Sequence, residues 1–511
     1  MVLLQAAAVG EIAGGDEVNR DEKQGMHCAL ALEGQVNYNG TRRMNTNDGL
    51  RLIAPRITPV LDPAFRPAVL ANRAFRDEVR ATNSAVPVRI ALEQADGSVF
   101  QFQTEVLPAG HPQAGANFIY VERIIKFLLW SRGGFRIHLD GPAAVGERLQ
   151  KHYKETPTGR FDSEIIGNRI YDRPLEVVLT TEIPAARSNA TPLGRHLDGC
   201  RIGFDLGGSD RKVAAIVNGQ AVYSEEVAWD PYFQKDPQYH YQGIMESLKT
   251  AARQMPRVDS IGGSAAGVYV NNRVKVASLF RGIAPDIFEK EVKGMFLKIQ
   301  QDWGNIPLEV VNDGEVTALA GSISLKQNGV LGISLGTSTA GGYVNLDGNI
   351  TSWLNELAFM PVDYNPASAT DEWSGDYGCG VQYFSQQAVG RLMSVAGIEA
   401  EAEMPLPEKL QAVQSLMYKE DYRANKVYQT IGTYLGYAIA HYADFYDLKN
   451  VLILGRVTSG PGGEIIINGA KEVLKLEFSD LAERINFHIP SEKDKRHGQA
   501  VAAASLPKLK H

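Results

Sequence analysis

The sequence predicts an α/β fold preceded by an α+β region. Three observations carry this. After about residue 199, apolar strand-like runs end in glycine loops and alternate with helical stretches, the texture of packed α/β layers. Before it, a hairpin pattern, a helical stretch and a further strand follow one another. The composition, 44% hydrophobic and 22% charged, is that of a globular protein and excludes a disordered or fibrous chain. At 511 residues the chain exceeds one domain.

The elements follow in order. Met1–Ala8 is mildly apolar without a basic flank and reads as a frayed terminus, not a signal peptide. Residues 10–50 are polar and rich in glycine and asparagine, and read as irregular. Residues 86–107 read as a hairpin: Val86–Leu92 alternates, Asp96-Gly97 supplies a turn, and Val99–Phe102 resumes the strand. Ile119, Ile124, Ile125, Leu128 and Leu129 put a helix over 118–131. Phe135–Leu139 reads as a strand and 144–154 as a helix. Breaker residues make 183–197 the expected linker. Arg201–Asp205, Lys212–Val217 and Ala221–Tyr223 read as three strands. A helix over 240–254, a strand at 258–263, a helix over 285–302 and the strand Leu308–Val311 come next. Gly329–Ser334 and Gly342–Val344 form a second hairpin, 405–447 a long helical stretch, and Asn450–Leu454 a buried strand entering Gly455.

Charge and cysteine usage limit the function. Of 52 Lys+Arg and 59 Asp+Glu, residues 1–199 hold 23 of each, so the net charge of −7 falls on the remainder. Neither part is a basic arm, which argues against nucleic acid or an anionic membrane as main partner. Cys28, Cys200 and Cys379 are odd in number and far apart. They imply no disulfide framework and point to a reducing, cytoplasmic setting. No run of about 18 apolar residues predicts a membrane span.

Four loops carry chemistry. In the first, Gly207 and Gly208 permit a tight turn whose N–H groups can face a phosphate, with Ser209 adding a hydroxyl. Arg211 or Lys212 would neutralise charge, and Asp205 would hold Mg²⁺ directly or through water. An ordinary hairpin turn is the alternative. The second, Gly336-Thr337-Ser338-Thr339, offers donors without bulk, or is a Ser/Thr-rich turn. The third, Asn312-Asp313, closes an apolar strand where α/β ligands bind. Asp313 there can take a hydroxyl proton, or merely cap a helix. The fourth, Gly455-Arg456 through Gly463, allows a close approach to a base or ribose, or is a plain strand-to-helix loop.

In this order the loops resemble those of the actin/hexokinase/Hsp70-type ATPases, and more closely the repressor/open-reading-frame/kinase (ROK) family of sugar kinases. Ser264–Val268, Asn355–Phe359 and His497–Ala504 extend the resemblance over about 200–508. It implies a two-lobed actin-like (ribonuclease H-like) fold. Lobe I would span 199–313 and be completed by about 490–508, lobe II would span 314–489, and 1–198 would form the N-terminal α+β domain. It also implies an ATP-dependent phosphotransferase, a carbohydrate kinase acting on a hydroxyl of a sugar or sugar-like polyol. ATP and Mg²⁺ would be required, with Asp205 meeting Mg²⁺ through water. Asp313 would be the general base, and Asn312 and Glu356 would hold acceptor hydroxyls. Glu356 is otherwise a solvated surface carboxylate. Ser278 falls where the family has a sugar-binding Asn.

The departures shape the alternatives. The family's zinc cysteine positions fall on Glu372 and Ser374 and its histidine on Phe359, leaving Cys379 alone. One thiolate builds no four-ligand site, so no structural zinc is expected and Cys379 reads as a buried apolar residue. The family's sugar-binding Glu falls on Val381. These changes leave a catalytically silent ATP- or sugar-binding protein as an alternative. A ROK-type transcriptional regulator is disfavoured by the length, neutrality and hairpin of 1–199. That region is left to cap the cleft, form a homodimer interface or bind a second ligand.

Overall fold

The computed structural model describes residues 49–189, 192–401, 403–489 and 492–509, with side chains from 498 onward in the last segment. The expectations for Met1–Ala8, for most of 10–50 and for Cys28 lie outside the described residues.

In the N-terminal region, alternation along Val86–Glu93 (β1) and Val99–Val106 (β2) pairs them as the expected antiparallel hairpin. Arg136–Asp140 (β3) joins β1 antiparallel and Glu176–Leu179 (β4) joins β3 parallel, giving the order β2-β1-β3-β4. The helix Ala116–Arg132 is buried almost all round, as a central helix must be. Four elements were not legible in the sequence: the helix Ala68–Ala81, the short helix Pro157–Asp162, the wider π-helical turn Ser163–Ile170 and the strand β4. Nor is the expected linker free. Arg187 exchanges backbone hydrogen bonds with Val99, and Arg195 donates to Gly348, Ser322 and Asn328.

The second sheet has five strands. Cys200–Leu206 (β5), Asp210–Val217 (β6) and Gln220–Ala228 (β7) form an antiparallel meander. Ser260–Ala265 (β8) and Leu308–Asn312 (β11) run parallel to β5. Val268–Val270 (β9) and Arg273–Val276 (β10) make a separate hairpin. The third sheet repeats the plan: Val330–Leu335 (β12) and Thr339–Val344 (β13) are antiparallel, and Asn450–Leu454 (β14) and Asn486–His488 (β15) follow in parallel. Each of these two sheets thus carries a hairpin whose turn is a glycine loop. Against the second sheet lies the helix Glu492–Ala504. A Cβ on Gly203 would fall 1.7 Å from the Ala500 carbonyl, and one on Gly262 1.7 Å from that of Ala503. Only glycine permits this approach.

Two expected helices are broken. The stretch 285–302 becomes Pro285–Ile287, the π-helical turn Phe288–Val292 and Met295–Asp302. Gly294 interrupts it, and the Lys293 carbonyl accepts from Val274 of β10 instead of continuing the helix. The stretch 405–447 divides into Leu406–Met417 and Tyr422–Tyr442, because Glu420 adopts φ 57° and Asp421 caps the second helix. The helices Val381–Phe384 and Gln386–Val395 were also not foreseen.

One buried cluster joins the N-terminal region to the third sheet and its helices. Phe65 packs on Tyr434 at 4.8 Å and Phe127 on Phe445 at 4.1 Å. The second sheet has its own cluster around Phe204 and Phe296. Asp172 reaches toward it, pairing with Lys275 and, at 2.9 Å, with Lys293. The N-terminal region therefore touches both halves.

Candidate active site

A cavity of about 230 Å³ opens between the second and third sheets. It gathers Ser278, Asn312, Asp313, Glu356, Gly336, Thr337, Ser338 and Thr339. Sequence distance between these residues is large, so only the fold brings them together.

Asn312 ends β11 and caps the helix Asp313–Leu325: its Oδ1 accepts from Gly314 N at 2.7 Å and its Nδ2 donates to the Gly267 carbonyl at 2.7 Å. The helix N-cap is thus Asn312, and Asp313 is the first helical residue. Its carboxylate accepts from Gly314 N at 3.0 Å and lines the cavity. Burial lifts its pKa above the ordinary value, against the pull of that backbone N–H.

Asp205 is 6% exposed at the end of β5 and accepts from Ser264 Oγ at 2.5 Å. Burial pushes its pKa up to about 6, and Asp313 adds to the rise. Lys212, opposite Asp205 in the strand register, lies 3.9 Å from it and 3.1 Å from Asp210. Arg211 is different. Adjacent strand residues point to opposite faces. It lies buried beneath the helix Pro237–Ala252 and pairs with Glu246 at 2.8 Å. The structure does not bring Arg211 to the glycine loop.

At Gly207 and Gly208 the turn is tight, with Gly207 N donating to the Asp210 carbonyl at 2.9 Å. Ser209 Oγ donates to Asp210 at 2.9 Å. Tyr232 covers this loop: a Cβ on Gly208 would fall 1.9 Å from its hydroxyl. The Tyr232 ring also receives Arg281 at 4.1 Å and lines the cavity. Gly455, at φ 103°, sits so close that a Cβ would meet Leu335 backbone atoms at 2.4 Å. Gly455 and Arg456 therefore lie beside the Gly336–Thr339 loop. Thr339 Oγ1 is buried and has no hydrogen-bond partner among the described residues. An orphaned hydroxyl on a glycine loop fits a phosphate oxygen. No three His, Cys, Asp or Glu side chains converge as metal ligands among the described residues. Mg²⁺ would then rest on Asp205 with phosphate oxygens and water, its usual mode.

Glu356 depends on the N-terminal region. Asn355 N donates to Ser131 O at 3.1 Å and Glu356 N to Trp130 O at 3.0 Å. These are carbonyls of the last turn of Ala116–Arg132, which have no helical partner. Burial raises Glu356 to about 7, with Asp313 contributing. Glu315 was not singled out in the sequence. It is 4% exposed, accepts from Asn355 Nδ2 and from Tyr343 N, and burial raises it to about 8. Tyr446 OH donates to Asn355 Oδ1 at 2.8 Å behind it.

The loop 371–380, where the resemblance located zinc, is closed by charge. Asp371 accepts from Ser374 N and Oγ, each at 2.7 Å. Asp376 receives Arg123 at 2.9 Å and Lys126 at 3.1 Å, both from Ala116–Arg132. Lys126 also pairs with Asp162 at 3.0 Å. Cys379 is fully buried and burial pushes its thiol upward. Phe359 stands 4.3 Å from Trp130 and 5.6 Å from Phe161. Nothing in the sequence signalled that Trp130, Ile165 and Ile170 would line the cavity, since each reads as ordinary core.

Among known proteins, residues 201–471 match the model of the ROK family. No curated protein matches the chain. A ROK hexokinase from Thermus thermophilus is similar at 16% identity and a TM-score of 0.48, covering 60% of this chain and 98% of that one. A ROK family glucokinase from Streptomyces griseus in complex with glucose and AMPPNP is similar at 19% identity and a TM-score of 0.42, with 60% and 98% covered. A ROK family transcriptional regulator, a homolog of the E. coli MLC protein, gives 19% identity, a TM-score of 0.46, and 60% and 78% covered. The sheet orders and the family match agree with the two-lobed actin-like ATPase fold expected from the loops, with an added N-terminal α+β region. No helix among the described residues is long and apolar enough to cross a membrane.

Proposed function

This chain belongs to the ROK family, and on that premise we propose that it is an ATP-dependent phosphotransferase acting on a hydroxyl of a sugar or sugar-like compound. The family holds sugar kinases and regulators alike, so the reading rests on the site. One observation carries it: Asp313 shares a single cavity with Asn312, Glu356 and the Gly336–Thr339 loop.

Asp313 accepts the proton of the attacking hydroxyl. Its raised pKa brings it nearer to the proton affinity that such a base needs. Asn312 and Glu356 orient neighbouring hydroxyls. The Gly336–Thr339 loop, with the unpartnered Thr339 hydroxyl, offers donors to developing phosphoryl charge, and the Gly207–Ser209 turn lies beside it under Tyr232. Mg²⁺, when bound at Asp205, supplies charge neutralisation on the phosphates. Lys212 adds a cation on the same strand face, which suits an acidic protein that binds an anionic nucleotide without a basic surface. Closure of the two halves keeps water from competing as acceptor. The domain division at 199 and 313 is part of this proposal.

The test is ATP consumption by the full chain against a panel of sugars and polyols. Sugar-dependent turnover that falls roughly 100-fold or more in Asp313→Asn supports the reading. A folded, ATP-binding sample without turnover on any acceptor sinks it. That outcome would favour a silent ATP- or sugar-binding protein. Tyr232 over Gly208 and the buried, apolar Val381 where the family has a sugar-binding Glu support this second reading.

A further inference from the structure

The cavity around Asp313 has two unlike sides. Asn312, Asp313, Glu356 and the Gly336–Thr339 loop form one. The other is apolar: Trp130, Ile165 and Ile170 from the N-terminal region, Phe359 from the loop after Glu356, and Val276 from β10. This wall is fixed in place. Ile170 and Trp130 are each 1% exposed and Phe359 5%. The Trp130 indole N–H is already donated to Asp162 at 3.0 Å, so it offers the cavity no donor.

A free hexose carries a hydroxyl on almost every carbon. Seated beside Asp313 with the rest of its ring against this wall, it would lose water from hydroxyls that find no partner, which costs free energy. An apolar group in the same place gains by leaving water. Pockets with an apolar body and a few convergent polar groups take ligands of matching character. The N-terminal region, which lies ahead of the family match, supplies Trp130, Ile165 and Ile170 to the wall.

We infer that the acceptor is a hydroxyl compound carrying an apolar substituent, of the kind represented by alkyl or aryl glycosides, and that Ile165, Ile170 and Val276 select for it. The inference rests on reading this cavity as the acceptor site.

The experiment is calorimetric binding to the full chain in the presence of a non-hydrolysable ATP analogue. Glucose and mannose are compared with their methyl, butyl and phenyl glycosides. Affinity rises with the substituent, by about tenfold or more for butyl and phenyl, the effect of burying roughly two methylene groups. Val276→Thr keeps the shape of the wall but adds a hydroxyl, and loses most of that gain. Ile170→Thr adds a hydroxyl and also removes the terminal methyl, with the same loss of the gain, and melting temperatures verify that both variants fold. Equal or weaker binding of the substituted compounds, or no binding of any, overturns the inference. Turnover is recorded in parallel. Tight binding of the substituted compounds without phosphoryl transfer overturns the kinase reading and leaves apolar selection standing.

Discussion

Replacing Lys126 by methionine removes the cation at the centre of a buried network. Lys126 Nζ lies 3.0 Å from Asp162 and 3.1 Å from Asp376, with all three side chains 1–3% exposed. Burial opposes the charge on Lys126, yet Asp162 and Asp376 hold its pKa above the ordinary value. Without it, Asp376 keeps Arg123 at 2.9 Å, but Asp162 keeps only the Trp130 N–H at 3.0 Å. Stranding one member of a buried pair costs about 3–5 kcal/mol. Burial already raises Asp162 with the lysine present. In the variant it rises further and binds a proton at low pH. Since stability from a raised carboxyl is lost as pH climbs through its folded value, the defect is smaller at pH 5 than at pH 8. Adding Asp162→Asn removes the stranded charge and restores part of the loss, with a coupling of about 2 kcal/mol. Urea unfolding followed by tryptophan fluorescence measures this, and Trp130 reports from inside the network. A loss under about 1 kcal/mol, or additive effects in the double variant, refutes the reasoning.

Other predictions concern the site and its scaffold. Asp313→Asn lowers kcat roughly 100-fold or more while ATP still binds, as checked by coupled turnover and calorimetry. Glu315 is raised from 4.5 to about 8, so its stabilising contribution is complete below about pH 4.5 and lost as pH rises through 8. Melting temperature should therefore fall less between pH 6 and 9 in Glu315→Gln than in the parent, and equal slopes exclude a buried neutral Glu315. Gly262→Ala drives a Cβ toward the Ala503 carbonyl, 1.7 Å away, and should cost about 1–3 kcal/mol in urea unfolding. An unchanged midpoint would mean that the helix Glu492–Ala504 is not docked there.

Much of the site was legible because its signals are local. Asn312-Asp313, Gly207-Gly208 and Gly336–Thr339 are each written within a few consecutive residues at a strand end; the first and third line the cavity, and Gly208 lies against Tyr232, which lines it too. Arg211 was misread for an equally local reason: neighbouring strand residues alternate faces, and composition does not say which face meets the cleft. The break in 405–447 turns on one residue, Glu420, in a conformation that its type rarely adopts.

By itself the sequence determined the class of fold, the order of its loops and the carboxylate Asp313, since strand alternation, glycine turns and caps act over a few residues. Only the tertiary structure decided what the N-terminal region does. Arg123 meets Asp376 across 253 residues, Glu356 N meets the Trp130 carbonyl, and Ile165 and Ile170 reach the cavity wall. Such pairings join unfilled helix carbonyls, buried charges and apolar side chains that look like ordinary core in one dimension. Their roles exist only once packing brings distant segments within bonding distance.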